Sequence, residues 1–150
     1  FVDIKQVSLT GHGAAAIGRA FWEVVQRVAP EAEAVGGMTL GADPLITATT
    51  LAAFDDDADL CGIIVRKARK GHGTGERVEA PAPLTDGATV VALDDVCTTG
   101  GSTIDAIEQM RQAGYEVEHA VTVVDREAGA TENLAEIGVE LHSLFELSEL

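Results

Sequence analysis

A chain of 150 residues has room for one domain with a real core. Its formal charge of −15 argues against nucleic acid or an anionic membrane as a general partner. No apolar run is long enough to span a membrane, no secretory signal opens the chain, and its two cysteines, Cys61 and Cys97, lack metal-site spacing; a reducing, cytoplasmic setting without disulfides is expected.

The first residues, Phe1-Val2-Asp3-Ile4-Lys5, alternate as a strand would, and with no starting Met an upstream segment is expected. Ile17, Phe21, Val24 and Val28 then recur on one helical face, with Ala14 before them and Pro30 as the stop. His12 reads as a surface residue and Trp22 as packing or interface. Ala34 to Met38 reads as a short strand running into a Gly-rich stretch, Thr39-Leu40-Gly41-Ala42. Asp43 can cap the next helix, with Pro44 at its first position and an end near Phe54. Backbone N–H groups in such a loop can hold a phosphate. Asp55-Asp56-Asp57-Ala58-Asp59 reads as a solvated acidic turn, with a metal site as the alternative.

Leu60 to Val65 is the next buried strand, with Cys61 as filler at its start. It runs into Arg66-Lys67-Ala68-Arg69-Lys70-Gly71-His72-Gly73-Thr74-Gly75. The chain has three lysines, Lys5, Lys67 and Lys70, and two of them lie in this loop, while no acid occurs from Leu60 through Gly75. So concentrated a basic loop in so acidic a chain fits a concentrated anion such as pyrophosphate, and its glycines allow the movement a lid needs. The alternatives are a solubilising surface loop or RNA binding, although no aromatic residues interleave for base stacking. Val78 and Glu79 follow the loop, then Pro81, Pro83 and Thr85-Asp86-Gly87 turn the chain.

The stretch Val90-Val91-Ala92-Leu93-Asp94-Asp95-Val96-Cys97-Thr98-Thr99-Gly100-Gly101-Ser102-Thr103 organises the rest. It opens as a strand buried on both faces and then sets two carboxylates side by side at the strand end. A loop of small and hydroxyl residues follows. The helix after it carries Ile104, Ile107 and Met110 and stops at Gly114. Glycines let the backbone turn tightly against a ligand, and the first turn of a helix has unpaired N–H groups that hold a phosphate. Thr98, Thr99, Ser102 and Thr103 can add hydroxyl donors. Asp94 and Asp95 repel phosphate; they suit the hydroxyls of a sugar, or a Mg²⁺ that offsets phosphate charge. The stretch thus fits a phosphorylated sugar, the alternative being an ordinary strand-to-helix turn. Cys97 reads as small-residue filler, with a thiol activated by the loop's N–H groups as the alternative.

Val117 to Val124 form another buried strand ending in Asp125-Arg126-Glu127. An Arg just past a strand's carboxyl end points into the crevice where open α/β sheets bind ligands, and its planar fork suits a carboxylate or a pyrimidine carbonyl. A surface ion pair with Asp125 or Glu127 is the alternative. His119 has no motif role. A last helix over Leu134 and Ile137 stops at Gly138 and leads to Val139, Leu141, Leu144 and an apolar end. Strands alternating with helices predict an α/β fold, a mainly parallel sheet flanked by helices, with residues 1–150 as a single domain.

The stretch from Val90 to Thr103 resembles the motif by which type I phosphoribosyltransferases bind phosphoribosyl pyrophosphate (PRPP). The run Val65-Arg66-Lys67-x-x-Lys70-x-His72-Gly73 resembles the lid signature of their orotate branch, and Gly36-Gly37-x-Thr39-Leu40-Gly41-Ala42-Asp43-Pro44 resembles the pyrophosphate loop of some members. Other members carry an aromatic residue and Lys at the positions of Leu40 and Gly41, so only backbone contacts carry over there. The resemblance implies the type I phosphoribosyltransferase fold with a small hood over the base, here truncated, in whose missing part an orotate-contacting Lys would lie. It implies PRPP contacts for Arg66, Lys67, Lys70, His72, Asp94, Asp95, Val96, Cys97, Thr98, Thr99, Gly100, Gly101 and Ser102. It gives catalytic roles to Lys70, His72, Asp94 and Asp95, and orotate contacts to Thr98 and Arg126. Mg²⁺ would be carried with PRPP, with no direct protein ligand assigned. A homodimer is implied, each lid reaching the partner's site. The activity implied is phosphoribosyl transfer to orotate; a PRPP-sensing regulator, a transferase for a purine or uracil, and a flavodoxin-like signalling domain are the alternatives.

Overall fold

The computed structural model describes residues 2–68 and 76–150. The chain opens with a short helix α1 (Lys5–Ser8) and a long one, α2 (Gly11–Val28). It continues through β1 (Ala34–Met38), α3 (Asp43–Asp55), β2 (Cys61–Val65), β3 (Val78–Glu79), β4 (Thr89–Cys97), α4 (Gly101–Gln112), β5 (Glu116–Asp125), α5 (Ala130–Glu136) and β6 (Glu140–Glu146). A single 3₁₀ turn, Leu147–Glu149, follows.

Six strands form one sheet in the order β3-β2-β1-β4-β5-β6. Every pairing is parallel except β2 with β3. Parallel strands need crossovers, and the crossover helices must bury an apolar stripe on the sheet. Ile17, Phe21, Val24 and Val25 of α2 join Leu45, Ile46 and Ala53 of α3 over Val35, Val91, Leu93 and Val121 on one sheet face. Ala106, Ile107 and Met110 of α4 and Leu134 of α5 pack on Ile63, Val65, Val90, Ala92 and Ala120 on the other. Phe21, Leu45, Leu93, Ile107, Met110 and Leu134 are fully buried. Each such side chain contributes about 1.5–3 kcal/mol relative to exposure, and together they fix the sandwich of helix, sheet and helix.

α2 begins at a Thr10 cap, whose Oγ1 accepts from the Gly13 N–H at 3.0 Å. It ends one residue before Ala29-Pro30, as the sequence predicts. Trp22 is packing: it is buried, and its Nε1 donates to Asp56 Oδ2 at 2.8 Å. Arg19 Nη1 reaches the same oxygen at 2.8 Å and holds the Asp56 carboxyl below the usual range. The acidic turn is exposed as expected, yet this one member also ties α2 to the end of α3. His12 is exposed.

Three expectations about elements are corrected. The Phe1–Lys5 strand is not formed: Val2 and Asp3 are irregular, Ile4 is a turn and Lys5 opens α1. Asp3 is the cause, because its Oδ1 accepts from the Lys5 N–H at 3.1 Å and its Oδ2 from Gln6 Nε2 at 3.2 Å, which bends the chain away from extension. Asp43 is not the cap of α3 but its first residue, with Ala42 as cap; its Oδ2 accepts from Thr39 Oγ1 at 2.6 Å. The acidic pair does not stand at a strand end either. β4 continues through it to Cys97, paired with β5 as far as Cys97 opposite Asp125.

Candidate functional site

The strand order reverses its direction of growth between β1 and β4, which lie side by side. Loops leaving the carboxyl ends of such a pair diverge and open a crevice, the place where α/β sheets of this kind bind ligands. The Gly-rich loop follows β1 and the hydroxyl-rich loop follows β4, so the sheet brings the two predicted phosphate loops to one crevice. The Thr39–Leu40 peptide in the first loop is cis.

The second loop turns into α4 through Gly100, the cap residue, at φ +88°, a backbone region that disfavours any side chain. Gly100 O accepts from the Ile104 N–H at 2.8 Å. The N–H groups of Gly101, Ser102 and Thr103, in the first turn, have no partner within the helix, and Gly101 and Ser102 line a phosphate-sized hollow. That hollow is about 240 Å³, walled by Asp94, Val96 and Thr98 to Ser102. Asn133 Nδ2 steadies the loop by donating to Thr99 O at 2.8 Å. A second hollow of about 280 Å³ shares Asp94, Val96 and Ser102 with the first and extends to Thr39, Gly41, Lys5 and Lys67.

The two carboxylates between these hollows differ. Asp94 is buried; its Oδ2 accepts from Thr103 Oγ1 at 2.6 Å and its Oδ1 from the Asp95 N–H at 2.8 Å. Burial pushes its carboxyl up to about 7, and the neighbouring Asp95 charge adds to the rise against the opposing Thr103 hydrogen bond. Asp95 is half-buried, with Oδ1 accepting from the Val96 N–H at 2.8 Å and Oδ2 facing Lys5 Nζ at 3.8 Å. A Cβ at Gly41 would stand 2.8 Å from Asp95 Oδ1, so the glycine is what lets the first loop lie against the carboxylate. Thr122, buried in β5, donates to Asp95 O at 3.1 Å and braces the strand under the pair.

Within the motif one expectation changes and one alternative falls away. Thr103 cannot offer its hydroxyl to a phosphate, because it is buried and its proton goes to Asp94. Cys97 is buried against Thr103, Sγ to Oγ1 at 3.4 Å, and desolvation pushes its thiol up to about 12. It is filler, and only its backbone borders the loop. Thr98, Thr99, Gly101 and Ser102 are exposed at the crevice.

Arg126 sits where β4 and β5 end together, its N–H donating to Cys97 O at 2.9 Å. Among the described residues it forms no ion pair with Asp125 or Glu127. Asp125 accepts instead from the Glu127 N–H at 2.8 Å, and Glu127 Oε1 accepts from the Ser148 N–H at 2.8 Å. The Arg126 Nε is buried without a hydrogen-bond partner. An orphaned charged donor on the residue whose N–H is tied to Cys97 O, where β4 and β5 end, is an arrangement a ligand carboxylate or carbonyl would complete.

Of the basic loop, Lys67 lines the second hollow, whereas Arg66 turns to Glu79, Nε to Oε1 at 3.1 Å. Arg69, Lys70 and His72 lie outside the described residues. The foot of the loop is clamped: the Arg66 N–H donates to Arg77 O at 2.7 Å and Arg77 Nε returns to Arg66 O at 2.8 Å. Arg77 also grips Asp105 of α4 through Nη2 to Oδ2 at 2.6 Å and Nη1 to Oδ1 at 3.1 Å. Lys5 is a site residue to which sequence reasoning gives no role. Its signal is its rarity, as one of three lysines whose other members both belong to the basic loop.

The sequence profile of the phosphoribosyl transferase domain matches residues 15–139. An orotate phosphoribosyltransferase of Thermosynechococcus vestitus is 44% identical over all of this chain and 77% of its own length. One of Aquifex aeolicus is 41% identical over all of this chain and 80% of its own. The crystal structure of the Mycobacterium tuberculosis orotate phosphoribosyltransferase in complex with PRPP superposes with a TM-score of 0.85 at 32% identity, covering 99% of this chain and 82% of that one.

Proposed function

Because the chain belongs to the phosphoribosyltransferase family and, within it, to the orotate phosphoribosyltransferases, we infer that it transfers the phosphoribosyl group of PRPP to orotate, giving orotidine 5′-monophosphate and pyrophosphate. The observation that carries this reading is the crevice itself: an acid pair set between two anion-sized hollows at the carboxyl ends of β1 and β4. The reaction belongs to pyrimidine biosynthesis.

The 5′-phosphate of PRPP takes the first hollow, on the N–H groups of Gly101 and Ser102 and the hydroxyls of Thr98, Thr99 and Ser102. The pyrophosphate takes the second, between the Gly-rich loop, Lys67 and Lys5. Asp94 and Asp95 then lie along the ribose and accept hydrogen bonds from its hydroxyls. The bond from the anomeric carbon to the pyrophosphate oxygen breaks, and its electron pair leaves with pyrophosphate. The orotate ring nitrogen supplies the pair that forms the new bond to the same carbon. Positive charge that develops on the ribose faces the two carboxylates, and negative charge on the leaving group faces the lysines. Lys70 and His72 act on that leaving charge from the lid, with Arg66 freed from Glu79 to join them. Arg126 and Thr98 hold orotate. Exclusion of water by the lid prevents hydrolysis of the sugar cation.

Mg²⁺ fits this crevice. The carboxylates of Asp94 and Asp95 and the hydroxyl of Ser102 offer only oxygen, and Lys5 Nζ stands 3.8 Å from Asp95 Oδ2. The ion, carried by PRPP's own oxygens, would neutralise pyrophosphate charge. The same reading takes residues 1–150 as one domain, places the protein in the cytoplasm, and makes it a homodimer whose lids cross to the partner's site. No helix among the described residues is long and apolar enough to cross a membrane.

The test offers the protein PRPP and Mg²⁺ with orotate, uracil, hypoxanthine and adenine separately, following base consumption and pyrophosphate release. Turnover of orotate alone is the expected result. Turnover of another base corrects the substrate, and PRPP binding without any turnover leaves a PRPP-sensing regulator. Lys70→Ala is expected to lower orotate turnover at least tenfold, or about 1.4 kcal/mol of transition-state stabilisation. A smaller loss removes Lys70 from the lid's chemistry.

A further inference from the structure

At the other end of the sheet, three donor atoms converge that the transferase chemistry does not use. His119 lies near the start of β5 and Glu140 opens β6, and the two are direct partners in the parallel ladder. His142 follows two residues on, opposite Val121. Side chains alternate across a sheet, so His119, Glu140 and His142 share one face. His119 Nδ1 stands 3.1 Å from His142 Nε2, and His142 Nε2 stands 3.3 Å from Glu140 Oε1. All three donor atoms lie within 4.8 Å of one another.

With both imidazoles neutral, one N–H lies between the two rings, and Glu140 Oε1 either shares it or faces a lone pair. A cation satisfies all three lone pairs at once. Tetrahedral zinc with bonds of about 2.0–2.2 Å holds its donors about 3.3–3.6 Å apart, close to the 3.1 and 3.3 Å of two of the three pairs, with the third inside 4.8 Å. Two imidazoles and one carboxylate suit zinc, whereas Mg²⁺ prefers an all-oxygen shell. The His142 side chain is 16% exposed and that of Glu140 70%, so the cluster is walled on the protein side and open on the other, where water can be the fourth ligand. Arg27, at the end of α2, is the cation nearest in influence to His142, offset by the acidic Glu140 itself. The chain's charge of −15 favours cation uptake in general.

We propose that His119, Glu140 and His142 form a zinc site that clips the edge strand β6 to β5, remote from the PRPP crevice. The test uses the whole chain, stripped with a chelator and titrated with Zn²⁺ in an excess of Mg²⁺ by isothermal titration calorimetry. Co²⁺ serves as a spectroscopic probe of tetrahedral geometry. The expected result is uptake of a single Zn²⁺ per chain, with a rise in Tm and tetrahedral-type Co²⁺ absorption. His119→Gln and His142→Gln should each abolish stoichiometric uptake, and the exposed Glu140→Gln, which spares the half-buried rings, should weaken it by about 10- to 100-fold. Glu108→Gln, exposed on α4, should leave it unchanged. Absence of stoichiometric uptake by the parent chain overturns the proposal. So does uptake that persists when both histidines are replaced, or that Mg²⁺ displaces.

Discussion

Asp94→Asn gives a protein that unfolds at a higher temperature at pH 8 and turns over about 10²–10³-fold more slowly. The stability half follows from proton linkage. Burial holds the Asp94 carboxyl at about 7 in the folded chain against an ordinary 3.8. A carboxyl raised on folding binds more protons in the native state than in the unfolded one between those two values. Stability therefore falls as pH rises through that window and stays lowered above it, by an amount on the order of a few kcal/mol. Asn removes the charge and keeps the shape. Its Oδ1 can still accept from the Asp95 N–H, and its Nδ2 can donate to Thr103 Oγ1, whose hydroxyl turns its own proton toward Cys97 Sγ. The activity half follows because the ribose loses a facing negative charge as its own positive charge develops. Thermal midpoints between pH 5 and 9, with kcat/KM for PRPP, decide it. The wild-type midpoint should decline across neutrality and the variant's should not. A variant less stable than wild type at pH 8, or one of near wild-type activity, contradicts the account of Asp94.

Arg126→Ala lowers kcat/KM for orotate about 10- to 100-fold, the size of losing a charge-assisted hydrogen bond of about 1.5–3 kcal/mol, and leaves PRPP binding nearly unchanged. The basis is local. The Arg126 N–H is anchored to Cys97 O, the neighbouring carboxylates of Asp125 and Glu127 are committed to backbone N–H groups, and the guanidinium Nε has no partner. Arg126→Lys should recover only part of the loss, because an ammonium lacks the planar fork that matches a carboxylate. Initial rates with orotate and PRPP varied in turn separate the two substrates. Equal losses toward both would place Arg126 with the ribose or the pyrophosphate and not with the base.

These two residues also mark what the sequence makes legible. The paired acids, the glycines and the helix phase of Ile104, Ile107 and Met110 declare a strand, a loop and a helix within a short span, and the fold supplies all three. The division of labour between Asp94 and Asp95 is invisible there, because adjacent carboxylates differ only in which side of β4 each occupies. Thr103 counts as one more hydroxyl until its phase is considered. It shares the face of Ala106, Ile107 and Met110, which buries it and turns its proton to Asp94. The amino-terminal residues mislead for the opposite reason: five alternating residues are too few to outweigh one Asp that binds the backbone ahead of it. Lys5 then reaches the crevice only because that bend exists. His119 and His142 are separated by a helix and meet through strand register, which no local pattern encodes.

Cys97 lies directly beneath the loop that would hold the substrate's phosphate, and its thiol is held near 12. Such a thiol stays protonated at neutral pH, and ionised sulfur is the form that peroxides and alkylating reagents attack. Cys61 is shifted upward as well, by burial and by the carboxylates of Asp59 and Glu33. A sulfur atom thus fills buried space under the crevice in its protonated, poorly nucleophilic form. A burst of peroxide that silences enzymes with activated cysteines should spare this loop.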